Sequence, residues 1–176
     1  MNKKTILLVS SVILFVSLLL YYLLGGFRPV TYSVITGGKY IIIGKEYIGV
    51  NNSDKLEKLF EEVKGKIETS FPEGILTIVS DHEKYDAENN QVGYFIGISI
   101  QETPSVIPED YNLMEYRPSK SIRAVITSHN LVMPKPDDVR NKAMELAEAE
   151  GEELSNYSLE RYFDNGNLEV DFLLVK

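Results

Sequence analysis

The sequence contains no cysteine and no tryptophan, and only two histidines among its 176 residues. Without cysteine there can be no disulfide, no thiolate metal site, no cysteine nucleophile and no lipidated N-terminal cysteine. His82 and His129 lie far apart and in no ligand spacing, so no metal site and no cofactor is expected, and both histidines read as solvated loop residues. Basic charge is also scarce. The formal net charge is −8, and because residues 1–28 hold Lys3, Lys4 and Arg28 and no acid, the remainder carries 15 basic residues against 26 acidic ones, a net of −11. Phosphate binding needs a basic face, so nucleic acid is not an expected partner, whereas a cationic ligand suits this balance.

Charge is absent altogether from Ile6 to Leu24, nineteen residues in which only Ser10, Ser11 and Ser17 interrupt aliphatic and aromatic side chains. As a helix this run spans roughly 28 Å, about one hydrocarbon core. No small-x-small cleavage site follows, so residues 1–28 read as an uncleaved transmembrane anchor rather than a signal peptide. Lys3 and Lys4 precede the span, which predicts a cytoplasmic N-terminus and an extracytoplasmic domain. Tyr21 and Tyr22 suit the far interface.

Residues 29–176 read as one α+β domain. Lys39 to Ile43 forms a β-branched strand, and Asn52-Ser53-Asp54 caps a helix over 53–69 whose apolar face is Leu56, Leu59, Phe60, Val63 and Ile67. Ile75–Val79 and Val92–Ile100 follow as strands, separated by the polar connection Ser80–Gln91. The order then repeats. Ser121–Thr127 is a strand, Pro136 opens a second helix ending near Gly151, and Ser158–Phe163 and Leu168–Val175 flank Asn165-Gly166, a two-residue hairpin signal whose central positions favour positive φ. The expected fold is a tandem β-α-β-β repeat, halves about 30–103 and 112–176, forming an antiparallel sheet with two helices on one face and a groove on the other.

Strand parity places Glu160 with Tyr162, and Phe95 with Gly97. The apolar face of Val92–Ile100, carrying Tyr94, Ile96 and Ile98, is expected under the helices. The opposite face, with Phe95 and Gly97, is therefore the predicted groove, and Glu160, Tyr162, Asp171 and Leu173 are assigned to it. Glu160 itself has two readings, a solvated residue on an open sheet face or a groove carboxylate beside an aromatic ring; periodicity alone does not separate them.

The motifs Ile43-Gly44-Lys45-Glu46-Tyr47, Gly93-Tyr94-Phe95-Ile96-Gly97-Ile98 and Leu159-Glu160-Arg161-Tyr162, in this order and spacing, make residues 32–175 similar to the GyrI-like family, the effector-binding domain of AraC-type and multidrug-responsive regulators. The resemblance implies that Glu160 sits in a cleft between the repeat halves and holds lipophilic cations or other small molecules. It implies ligand-binding roles for Tyr162 and Tyr47 as well, with His129 at the corresponding junction of the second half. Those regulators carry a DNA-binding domain where this sequence has its apolar span, which resembles instead the membrane-anchored members of the group. The expected function is therefore a tethered small-molecule-binding domain with a possible membrane-protein partner. Two alternatives stand beside it. One is hydrolysis with Glu160 as general base and Asp171 as the only candidate second carboxylate, although the tryptophan such hydrolases favour is missing. The other is a protein-interaction module using the stretch 104–118.

Overall fold

The computed structural model describes residues 2–86 and 88–175, leaving Ala87 of the polar connection, Met1 and Lys176 outside the description. Helix α1 (Lys3–Leu23) buries none of its residues. Strands β1 (Thr31–Thr36) and β2 (Tyr40–Val50) lead into α2 (Asp54–Ser70), β3 (Ile75–Asp81) and β4 (Gln91–Ile100). The second half repeats this with β5 (Asn112–Tyr116), β6 (Lys120–Ile126), α3 (Pro136–Ala149), β7 (Glu153–Tyr162) and β8 (Leu168–Val175). All eight strands pair antiparallel in one sheet, in the order β1-β6-β8-β7-β3-β4-β2-β5. The fold is thus α+β, each half contributing strand, strand, helix, strand, strand.

Local chemistry sets the element ends. The Ser53 hydroxyl accepts from the Leu56 N–H at 3.2 Å and caps α2. Pro136 opens α3, where its missing N–H is harmless, and the buried Val139, Ala143 and Ala147 let that helix lie close on the sheet. The closing turn differs from the two-residue form. Only Gly166 has positive φ, at 80°, and the Phe163 N–H donates to the Asn167 carbonyl at 3.0 Å. Three residues, Asp164 to Gly166, form the loop, as in a type I turn followed by a left-handed glycine. The Asn165 side chain accepts from the Asn167 N–H at 3.0 Å and favours this longer form.

The sheet is curled. The β1·β6 ladder ends at Thr36 opposite Lys120, the β2·β5 ladder begins at Tyr40 opposite Tyr116, and between them the Gly37 N–H donates to the Ser119 carbonyl at 2.7 Å. The two edges of the sheet are therefore segments of one interrupted ladder, and the sheet closes round on itself. Its inner face gathers Tyr40 and Ile42 of β2, Val79, Phe95, Leu159 and Leu173 into one core. Its outer face carries two separate cores. α2 covers Ile43, Ile78, Ile96 and Ile98, while α3 covers Ile122, Ala124, Ile126, Leu168, Val170 and Phe172.

This closure corrects the expected groove. The face opposite the helices is the inside of the curl, so Phe95, Leu173 and Asp171 are buried rather than open. Gly97 pairs with Gly44, and a side chain at Gly97 would overlap the Ile43 carbonyl oxygen and come within 2.8 Å of the Gly44 Cα. The close approach that Gly97 permits is made by the neighbouring strand, which lets the sheet bend there.

Candidate functional site

Glu160 and Tyr162 lie on the outer face of β7, in the seam between the two helix-covered cores. In register, Glu160 stands between Ile78 of β3 and Val170 of β8, and Tyr162 between Leu76 and Leu168. The Tyr162 ring packs against both outer cores, which places it on the line where the halves meet. Its hydroxyl donates to Glu160 Oε2 at 2.7 Å. The Glu160 side chain is deep among protein atoms while the residue keeps some contact with solvent. Loss of hydration pushes its carboxyl above the ordinary range, against the smaller opposing effect of the Tyr162 hydrogen bond. Burial, and then the Glu160 charge, push the Tyr94 and Tyr162 hydroxyls up. Among the described residues no lysine, arginine or histidine forms an ion pair with Glu160. A carboxylate so placed attracts a cation or a hydrogen-bond donor, and tyrosine rings beside it add cation–π attraction.

Two residues further along the same face of β7, the Ser158 hydroxyl lies 3.0 Å from His82 Nε2. His82 was expected as a solvated loop residue. It is instead partly buried in the 3-10 turn His82–Lys84, and burial, then the Arg140 guanidinium of α3, lower its pKa to about 4. The imidazole is neutral at physiological pH. Nη1 of Arg140 is itself buried and has no hydrogen-bond partner among the described residues. His82 and Arg140 carried no signal in the sequence, because their meeting depends on how the β3–β4 connection and α3 converge over β7.

The remaining predicted residues lie elsewhere. Tyr47 is on the outer face opposite Tyr94, but β3 and β4 separate β2 from β7 and its hydroxyl is committed to the Val50 carbonyl and Ser53 Oγ, at 2.7 and 2.6 Å. His129 is exposed at the junction with α1; its Nδ1 accepts from the Leu131 N–H, and its own N–H donates to the Leu24 carbonyl at 2.9 Å. Phe95, Gly97 and Asp171 face the inside of the curl. Asp171 is fully buried there, accepting from Arg123 Nε at 2.7 Å and from Arg161 Nη2 at 3.0 Å. The structure therefore groups Glu160 with Tyr162 and Tyr94, and separates Tyr47, His129, Phe95, Gly97 and Asp171 from them. No group of three His, Asp or Glu side chains converges as a metal site among the described residues.

No family model matches the sequence, and no curated protein matches it. Solved structures do match. The EcmrR–DNA transcription complex aligns with a TM-score of 0.56 and 14% identity over 98% of this chain and 69% of that one, an alignment long enough to take in α1. The EcmrR C-terminal domain aligns at 0.52 and 16% identity, over 84% of this chain and 98% of that one. A hydrolase from Listeria innocua aligns at 0.51 and 8% identity, over 84% and 92%. At these identities the likeness is one of fold. The chain has the GyrI-like effector-binding fold.

Proposed function

We propose that this chain is a membrane-tethered GyrI-like domain that binds a small lipophilic or cationic molecule in the seam between its helix-covered halves, over Glu160. The observation that carries this reading is the Glu160 carboxyl, stripped of much of its water and, among the described residues, hydrogen-bonded only by the Tyr162 hydroxyl. A bound cation supplies the charge that the seam lacks. Tyr162 and Tyr94 each contribute about 0.5 to 2 kcal/mol of cation–π attraction where their rings face it. The net negative domain favours the same ligand class.

Residues 1–28 act as tether, α1 being long and apolar enough to cross a membrane, and residues 29–176 act as the binding domain. Lys3 and Lys4 favour a cytoplasmic N-terminus, placing the domain outside. A helix apolar all round, with no charged residue between Ile6 and Leu24, suits lipid better than water or a soluble coiled coil.

The Ser158–His82 pair has the spacing of a nucleophile and its base, and one fold neighbour is a hydrolase. Ser158 is only 2% exposed, however, and a substrate carbonyl has no path to it. Binding is the better supported reading.

The test is thermal unfolding of the full chain in lipid nanodiscs with tetraphenylphosphonium and with an uncharged aromatic of similar size, for wild type and Glu160→Gln. At 100 times its dissociation constant a ligand stabilises the fold by about 2.7 kcal/mol. Stabilisation by the cation that disappears in Glu160→Gln supports the site. No shift with either compound, or an equal shift in both proteins, removes Glu160 from ligand binding.

A further inference from the structure

The end of α1 is not joined to the domain by a free linker. The Leu24 carbonyl at its C-terminus accepts from the His129 N–H at 2.9 Å, the backbone turns at Gly25 with φ +78°, and Arg28 Nη1 donates to the Thr127 carbonyl at 3.3 Å. A side chain added at Gly25 would come within 3.4 Å of the Ser128 Cα, so the helix end and the segment Thr127–His129 are in direct contact. That segment leads straight into the 3-10 turn Asn130–Val132, where Leu131 is 79% exposed. Phe27 is 65% exposed and folds back edge-on against Tyr21 of α1, with ring centroids 4.9 Å apart. Two large apolar side chains are thus held in water beside the residue that closes the apolar run of the helix. An isolated exposed leucine needs no explanation, but here Phe27 packs on Tyr21 of a candidate membrane span, and Leu131 follows two residues after His129, whose N–H is bonded to the end of that helix.

We infer that Phe27 and the Asn130–Val132 turn form a lipid-contacting foot, with Leu131 inserted among the lipid headgroups and upper acyl chains, so that the domain is seated on the bilayer at a fixed tilt. The occupant of this surface is lipid because the surface is continuous with α1. The inference rests on the reading of α1 as a membrane span. It has a consequence for the seam: Tyr162 pairs with Leu168 and Leu168 with Ile126, two residues before Ser128, so the Tyr162 end of the groove is the end nearest the bilayer. A lipophilic molecule partitioned into the headgroup region would meet the groove there.

The absence of native tryptophan makes the test direct. Three single-tryptophan variants of the full chain, Leu131→Trp, Leu14→Trp and Ile48→Trp, are reconstituted into phosphatidylcholine vesicles with and without lipid brominated in the upper acyl chain. Ile48 is 59% exposed on β2, which continues the course of β1 away from the junction, and serves as the water-exposed reference. The expected result is blue-shifted emission quenched by brominated lipid for Leu131→Trp and Leu14→Trp, and red emission without quenching for Ile48→Trp. If Leu14→Trp is quenched while Leu131→Trp matches Ile48→Trp, the foot is overturned and the membrane span stands. If Leu14→Trp also emits as in water, the span fails and the foot fails with it.

Discussion

Two carboxylates eleven residues apart, Glu160 and Asp171, occupy opposite faces of one sheet and solve the problem of burial in opposite ways. Asp171 lies inside the curl, where Arg123 and Arg161 share its face and donate to both its oxygens, and Glu169 extends the same network. The hydrogen bonds to Asp171 raise the Arg123 pKa, so the guanidinium stays charged. Glu160 lies on the outer face among Ile78, Ile96 and Val170, where the described residues supply no cation, and its carboxyl is pushed toward its neutral form. A carboxylate in a strand is thus explained by what stands on its own face. Where the protein supplies the cation, the group is structural; where it does not, the position is open to a ligand.

Breaking Asp171 has the largest expected effect. Asp171→Asn leaves two guanidinium groups facing each other with Glu169 as the one acid of the network to balance them, and removing one member of a buried charge network costs about 3 to 5 kcal/mol. The denaturant midpoint of the variant should fall steeply with little change in slope. A loss below about 1 kcal/mol would place the network in solvent and remove the contrast with Glu160.

His82 sharpens the comparison through pH. Folding lowers its pKa from 6.5 to about 4, so the unfolded chain binds the proton more tightly. Stability should fall as pH drops from 6.5 through about 4, by about 3 kcal/mol at most. His82→Gln, which keeps a hydrogen-bonding group for Ser158, should flatten that part of the stability profile. Gly97→Ala is expected to cost about 1 to 3 kcal/mol, because the added methyl meets backbone and not a side chain that can move aside. Its effect on ligand affinity at the seam should be small, since Gly97 faces the other side of the sheet.

The elements were legible because each has a local cause. The α2 periodicity with its Ser53 cap, the alternation in β4 and the repeat of order all follow from spacing within short windows. Parity also paired Glu160 with Tyr162 and Phe95 with Gly97. What spacing could not give was which pair faces the helices, because relating β7 to β4 requires the register through β3, where Ile78 stands opposite both Ile96 and Glu160. The rule that polar residues belong on the open face then failed twice over. The face opposite the helices is closed by the curl, and its acid, Asp171, is matched by arginines that the sequence separates from it by 10 and 48 positions. His129 was misplaced for a related reason: its position between strand and helix was correct, but that junction carries α1 instead of the groove.

Glu160→Gln has the smallest expected effect on stability and the opposite sign. Folding raises the Glu160 carboxyl above its ordinary value, so the folded protein keeps a proton that the unfolded chain has already lost. The contribution of this group is present below about pH 4.5 and is lost as pH rises through the raised value. Glutamine cannot ionise and still offers an acceptor to the Tyr162 hydroxyl, so the variant should match wild type at pH 4 and exceed it in stability at pH 7. Saturating tetraphenylphosphonium should reverse the order, because only the ionised carboxylate gains from the cation, and binding to wild type should release protons that calorimetry in buffers of different ionisation enthalpy can count. A variant no more stable than wild type at pH 7, with no proton release on adding the cation, would mean that Glu160 is hydrated, and would leave Asp171 as the only buried carboxylate in the comparison.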